Sequence, residues 1–318
     1  MTTWFTRGKL NPQGPQRREN SLWRDAWRRL FRNKAAVGGL AFVLLLFIVG
    51  LLAPWLTPYR YDQQDLAHVT EGPSVAHPLG TDRLGRDLLC RLMYGARISL
   101  GVGVVSMLLM VIVGVPMGAI AGHFGGRVDM VIMRIVDILY AFPDMLFVII
   151  VMTYLKAVFG QASGGWLGGL ARVYNATGGL IAIFLALGLT GWLTVARLVR
   201  GQILAIKEKE FAEAARCIGA TDWHIIRKHL IPNSLAPVIV SVALRVPGAV
   251  FTEASLSFIG LGVDPPTPSW GIMISEGQSM MRSYPHLMIM PGLALSLTVI
   301  FFNLFGDGLR DALDPLMK

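Results

Sequence analysis

Two groups of residues in this chain have types and spacings that could do work. The first is the segment 213–232, Glu-Ala-Ala-Arg-Cys-Ile-Gly-Ala-Thr-Asp-Trp-His-Ile-Ile-Arg-Lys-His-Leu-Ile-Pro. It is a polar, basic, helix-forming insert between two long apolar runs, and it holds nothing that resembles a catalytic set. Ala214 and Ala215 let another backbone approach closely, and Glu213 with the neighbouring Lys and Arg can form a charged rim. The chemistry implied is mechanical contact with a partner; the plainer alternative is an amphipathic helix on a membrane surface. The second group comprises ionisable residues inside apolar runs, Asp137, Asp144, Arg245 and Glu253. Such residues are expensive in hydrocarbon and face protein, water or a transported solute.

The elements that must carry these residues follow from composition. Only 15% of the 318 residues are charged, against roughly 25% in a soluble domain. Mean hydropathy is +0.54. About 20 apolar residues cross a bilayer as a helix, and six such runs are read at 35–56, 98–121, 131–155, 179–196, 235–258 and 288–305. The basic lead before residue 35 and the length of the first run favour a retained span over a cleaved secretory signal. With the amino terminus inside, 20 of the 29 Lys and Arg lie on the inner side and eight on the outer, and Arg245 lies within a span. Positive charge marks the cytoplasmic side, so both termini and the 213–232 segment are expected there. The net charge of +9 then reflects basic inner loops, and nucleic acid is not an expected partner. Cys90 and Cys217 fall on opposite sides and form no disulfide framework.

The expected organisation is an all-α membrane protein. A basic segment (1–34) precedes the first span (35–56), an extracytoplasmic loop (57–96), a five-helix domain (97–308) and a tail (309–318). Within the loop at 200–232, strong helix formers run to residue 218 and Gly219 permits a turn. Thr221 can cap a second helix with Asp222 in its first turn, and Pro232 is placed to stop or kink it. The glycine-rich stretch 160–179 carries no expected structure. Arg134 and Asp137, three apart, suggest an ion pair within one helix. Asp144, after Pro143, suits a resumed helix. Arg245 and Glu253 sit about 80° apart around one helix and should not pair. They could touch a passing zwitterion or only hold the bundle together. Asp82, Arg83, Arg86 and Asp87 in the outer loop could touch a partner, close a gate or form local ion pairs. Methionine pairs such as Met280-Met281 read as packing.

Glu213-Ala214-Ala215, three residues, Gly219 and then Pro232 resemble the EAA loop of the membrane subunits of bacterial ABC importers. His229 and Ile231 stand where that pattern has Ile and Leu. His77-Pro78-Leu79-Gly80-Thr81-Asp82, Gly85-Arg86-Asp87 and Tyr94-Gly95-Ala96-Arg97-Ile98-Ser99-Leu100 are similar to the segment before span two of the peptide permeases. The same holds for Ser255-Leu256-Ser257-Phe258-Ile259-Gly260-Leu261-Gly262 and for Gly306-Asp307-Gly308-Leu309-Arg310-Asp311-Ala312-Leu313-Asp314-Pro315. Together they resemble the C-type membrane subunit of the oligopeptide and dipeptide importers. That resemblance implies a type I importer fold in the bacterial inner membrane, with Glu213, Ala214, Ala215 and Gly219 docking an ATPase. The implied partners are a homologous B-type permease subunit, two cytoplasmic ATPases binding ATP and Mg, an extracytoplasmic binding protein and a peptide. No cofactor or metal is implied for this chain, which lacks a phosphate-binding loop and should not itself be an enzyme. Nickel or glutathione is an alternative cargo within the family. An intramembrane enzyme lacks facing catalytic groups here. An ion-driven secondary transporter would show related halves and broken helices at matching positions, which the sequence does not display.

Overall fold

The computed structural model describes residues 22–161 and 165–313. Most of the basic lead, residues 162–164 of the glycine-rich stretch and the end of the tail with Pro315 and Lys318 lie outside the described residues. The described chain is helical: α1 (Leu22–Arg32), α2 (Lys34–Leu56), α3 (Leu88–Phe124), α4 (Gly126–Tyr140), α5 (Asp144–Gln161), α6 (Gly165–Ala176), α7 (Leu180–Ile206), α8 (Glu210–Cys217), α9 (Asp222–Ile225), α10 (Ile231–Ala243), α11 (Val246–Phe258), α12 (Trp270–Gln278) and α13 (His286–Leu313). A π-helical segment, Ile226–Leu230, joins α9 to α10. Among the described residues, six stretches are long and apolar enough to cross a membrane: α2, α3, α5, α7, the run Asp222–Phe258, and α13.

Two expectations about the spans are corrected. The third does not run from residue 131. Pro143 has no N–H and pushes its predecessor out of the helical region, so the chain breaks after Tyr140 and α5 begins at Asp144. The polar helix α4 lies against α7, with Val136 packed on Trp192, Leu193 and Ala196 and Asp129 gripping Arg200 through both carboxylate oxygens. The fifth span is interrupted at Leu244-Arg245, with Pro247 in the first turn of α11, the position where its missing N–H is harmless. Pro232 likewise does not stop its helix. The π segment widens the turn ahead of it and delivers Pro232 to the first turn of α10.

Helix α3 is the spine. Its 37 residues extend roughly 55 Å, and α7 runs parallel to it. Gly114, Gly118 and Gly122, four apart, form the seam: a Cβ on Gly114 would sit 2.6 Å from the Cβ of Val195, and one on Gly122 2.9 Å from that of Ile203. Small residues at this spacing let membrane helices meet backbone to backbone. At the Leu88 end, α12 packs on the first turns of α3, where buried Trp270 donates from Nε1 to the Leu92 carbonyl at 3.1 Å. At the Phe124 end, His123 Nε2 and Asp222 Oδ1 are 2.8 Å apart, which ties the 213–232 segment to the far end of the spine.

The glycine-rich stretch is partly ordered by α6. Tyr174 donates to Asp264 Oδ2 at 2.8 Å and Lys156 Nζ donates to Asp264 Oδ1 at 2.9 Å. Burial and the carboxylate beside it push the Tyr174 phenol up to about 12, so it stays a donor at any ordinary pH.

Candidate functional site

The helix-turn-helix at 207–232 presents two faces. Helix α8 turns Ala212 and Ala215 inward, against Ile206, Ile225, Ile226 and Leu230, as their three-residue spacing dictates. Glu213 and Ala214 are exposed. The Ala214-Ala215 pair is therefore split: one residue packs the loop on the bundle and the other faces out. Gly219 has φ +83° in open space, so glycine is required here by backbone conformation rather than by crowding. The Ala220 N–H donates to the Ala215 carbonyl at 3.0 Å and the Gly219 N–H to the Arg216 carbonyl at 2.9 Å, the closed turn that ends α8. Thr221 caps α9 by accepting from the His224 N–H. His229 is half-buried, its ring 6.5 Å from that of Phe211.

Sequence reasoning missed the apolar part of this surface. Ile218 is 85% exposed and Trp223 57%. Ile218 lies three residues beyond Ala215, where α8 stops and, among the described residues, nothing packs over it. Ile218 is the residue that ends α8, its N–H still bonded to the Ala214 carbonyl, and its side chain stands exposed beyond the packed part of the helix before the left-handed turn at Gly219. Glu213, Ala214, Ile218 and Trp223 are thus all exposed on this unit, alongside the basic Arg216, Arg227 and Lys228.

At the opposite end, the outer-loop residues form a buried network. Asp82 accepts from Arg86 Nε at 2.6 Å and from Arg91 Nη1. Both guanidiniums also reach Glu276 of α12, Arg91 at 2.6 Å and Arg86 at 3.1 Å. Burial pushes the Asp82 carboxyl up, but Arg91, Arg86 and the backbone N–H groups of Arg86 and Leu84 outweigh it and hold it below its ordinary value. Asp87 caps α3 through the Cys90 N–H at 2.6 Å and meets His77 Nδ1 at 2.9 Å. Of the four residues singled out in this loop, only Arg83 is exposed. Asp82, Arg86 and Asp87 brace the loop against α3 and α12. Arg91 and Glu276 were missed, since nothing in the sequence brings residues 185 apart together.

The ionisable residues of the apolar runs separate into three settings. Asp137 is exposed on α4, outside the spanning helix, and pairs with Arg197 Nη2 at 2.8 Å rather than with Arg134. Helix α4 lies beside α7, and Arg197, stacked 4.1 Å over the Tyr140 ring, reaches across. Glu253 is 0% exposed. Ser99 Oγ donates to it at 3.0 Å and Ser257 Oγ at 2.7 Å, and Ser269 Oγ donates on to Ser257 at 3.2 Å. These hydroxyls come from α3, α11 and the start of α12, so Glu253 is a packing centre of the bundle and not part of an open path. Arg245 instead lines a cavity of about 380 Å³ between α3, α5, α7 and α11, together with Asp144.

This geometry defines a class: a polytopic membrane protein with a braced loop at one end of its helices and a tethered helix-turn-helix at the other. A family profile described as binding-protein-dependent transport system inner membrane component matches residues 114–318, and one described as the N-terminal TM domain of oligopeptide transport permease C matches residues 21–73. The chain belongs to the family of inner membrane components of binding-protein-dependent transport systems, and it is a multi-pass protein of the inner membrane. It is 44% identical over 297 residues to the oligopeptide transport system permease protein OppC of Haemophilus influenzae, covering 93% of this chain and 89% of that one. It is 42% identical over 299 residues to the dipeptide transport system permease protein DppC of Bacillus subtilis, covering 94% and 87%. The glutathione transport system permease protein GsiD of Pectobacterium atrosepticum is 43% identical over 297 residues, covering 93% and 92%. An inward-facing structure of the MetNI methionine ABC transporter is similar in fold, with TM-score 0.54 and 19% identity over 71% of this chain and 97% of that one. Family membership makes the chain a permease subunit of an ABC transport system; the break ahead of Asp144 agrees with the helix expected to resume after Pro143, whereas the break at 244–245 was not expected.

Proposed function

We propose that this chain forms half of the translocation pathway of an ATP-driven importer of oligopeptides or dipeptides. A homologous B-type permease subunit supplies the other half. Two cytoplasmic ATPases bind ATP and Mg and press on the 207–232 loops, and an extracytoplasmic binding protein delivers the cargo. The chain itself does not hydrolyse ATP: its only Gly-Lys pair, Gly8-Lys9, is followed by Leu10 and makes no phosphate loop. Both termini and the loop lie in the cytoplasm, a reading supported by the 20 of 29 Lys and Arg that it puts on that side.

The observation that carries this reading is the exposure of Glu213, Ala214, Ile218 and Trp223 on a unit fastened to the spans through Asp222. One fastening is the His123–Asp222 contact to α3, and the other is the unbroken helical run from Asp222 into α10. Movement of this unit is thereby passed to the spans. The peptide substrate is supported by the OppC and DppC relatives. The GsiD relative favours glutathione as a second reading, itself a peptide with free charged ends.

The test is uptake by the reconstituted complex of labelled tri-alanine and of labelled glutathione, each challenged with the other. In the same preparation, Glu213→Lys and Gly219→Asp are expected to insert normally, lose ATPase association and abolish uptake. Full uptake with either variant would show that this loop is not the coupling surface.

A further inference from the structure

The cavity beside Arg245 has three properties that belong together. It extends from the exposed start of α5 at Asp144 to the middle of α3: Met110 lines it and lies more than roughly 20 Å from either end of that helix. It is bordered by both interrupted helices, with Asp144 opening α5 after the break at 141–143 and Arg245 capping α11 at the break at 244–245. Irregular backbone at membrane depth persists where it is packed in protein or lines a polar cavity. Among the described residues, neither the Asp144 carboxylate nor the Arg245 guanidinium has an ion-pair partner. Glu253, on the same run, is fully enclosed by serine hydroxyls.

The hydroxyls add a pattern. Thr190, Thr252 and Ser255, which also line the cavity, donate to carbonyls of their own helices. What each has left for the cavity is an acceptor oxygen, suited to the N–H groups of a peptide backbone or an α-ammonium. A cation, an exposed anion at the start of α5 and a set of acceptors lining one pocket match a zwitterion with free charged ends. We propose that this cavity is a transit site for the peptide in the membrane, where Arg245 takes the terminal carboxylate and Asp144 the terminal ammonium. The inference rests on the peptide-importer reading and adds a place and two residues to it. The carboxylate of cargo meets a delocalised guanidinium with paired donors, and the two unlike charges orient the peptide along the line between α5 and α11.

The experiment uses the complete complex in proteoliposomes and three probes: tri-alanine, its C-terminal amide and its N-acetyl form. The same binding protein serves every variant, so its own preference cancels in the ratio of variant to wild type. Arg245→Gln is expected to slow tri-alanine uptake about tenfold and to leave the amide within about twofold of wild type. Asp144→Asn is expected to slow tri-alanine about tenfold while sparing the N-acetyl form. Equal losses for free and blocked peptides, or no loss, overturn the proposal. A second readout needs no variant: tri-alanine carrying a diazirine, trapped in the vanadate-inhibited wild-type complex, should label residues within 140–148 or 244–255. Labelling elsewhere only overturns the proposal as well. A wild-type complex that takes up none of the probes would defeat the importer reading itself, a result distinct from either.

Discussion

Asp82 illustrates what a single carboxylate does in this chain. It faces Arg86 and Arg91 in a buried setting, and Glu276 completes the set. Breaking such a pair strands charge out of water at a cost of about 3–5 kcal/mol, so Asp82→Asn should markedly lower the unfolding temperature of the purified protein. The pH dependence follows from the depressed carboxyl. Its stabilisation is fully present above the unfolded carboxylate value, near ~3.9, and is lost as pH falls through the lower folded value. Unfolding temperature measured against pH should therefore fall on the acid side in the wild type, and part of that fall should vanish in Asp82→Asn. These residues were legible as chemistry but not as a network. Asp82 and Arg86, four apart, signal a local pair. The contribution of Glu276, from a helix nearly two hundred residues on, has no counterpart in the sequence pattern.

At the scale of the element, two glycine positions make opposite demands. Gly114 and Gly118 lie where α3 and α7 touch, and an added methyl must push the helices apart. Gly101 on the same helix has open space around it. Gly114→Ala or Gly118→Ala should lower stability by about 1–3 kcal/mol, while Gly101→Ala should not lower it, as thermal melts in one detergent will show. Gly219 is constrained by its φ instead, and Gly219→Ala should loosen the loop by about 1–2 kcal/mol without any clash. Helix α8 and the cap at Thr221 follow from helix formers and capping chemistry that the sequence displays openly. The exposure of Ile218 does not, because it depends on what packs beyond the end of α8. Truncating Ile218 and Trp223 together to alanine should weaken ATPase association by about 2 kcal/mol or more, the scale of an interfacial hot spot. Binding of purified ATPase to the solubilised complex is the measurement.

For the whole molecule, orientation is the property open to test. Cys217 is exposed at the end of α8 and Cys90 is buried beside the Asp82–Arg91 network. A membrane-impermeant maleimide should label Cys217 in inside-out vesicles and not in intact cells, and it should label Cys90 in neither. Labelling of Cys217 from outside intact cells would reverse the topology. Six spans and the loop between the fourth and fifth were readable in the chain, because apolar length and capping are local properties. Tertiary structure alone decided which charges meet. It enclosed Glu253 with Ser99 from 154 residues away, moved Asp137 out of the third span to Arg197, and set Asp144 rather than Glu253 on the cavity of Arg245. Each outcome turns on how helices pack and where prolines interrupt them, and a one-dimensional pattern records the interruption but not the neighbour it selects.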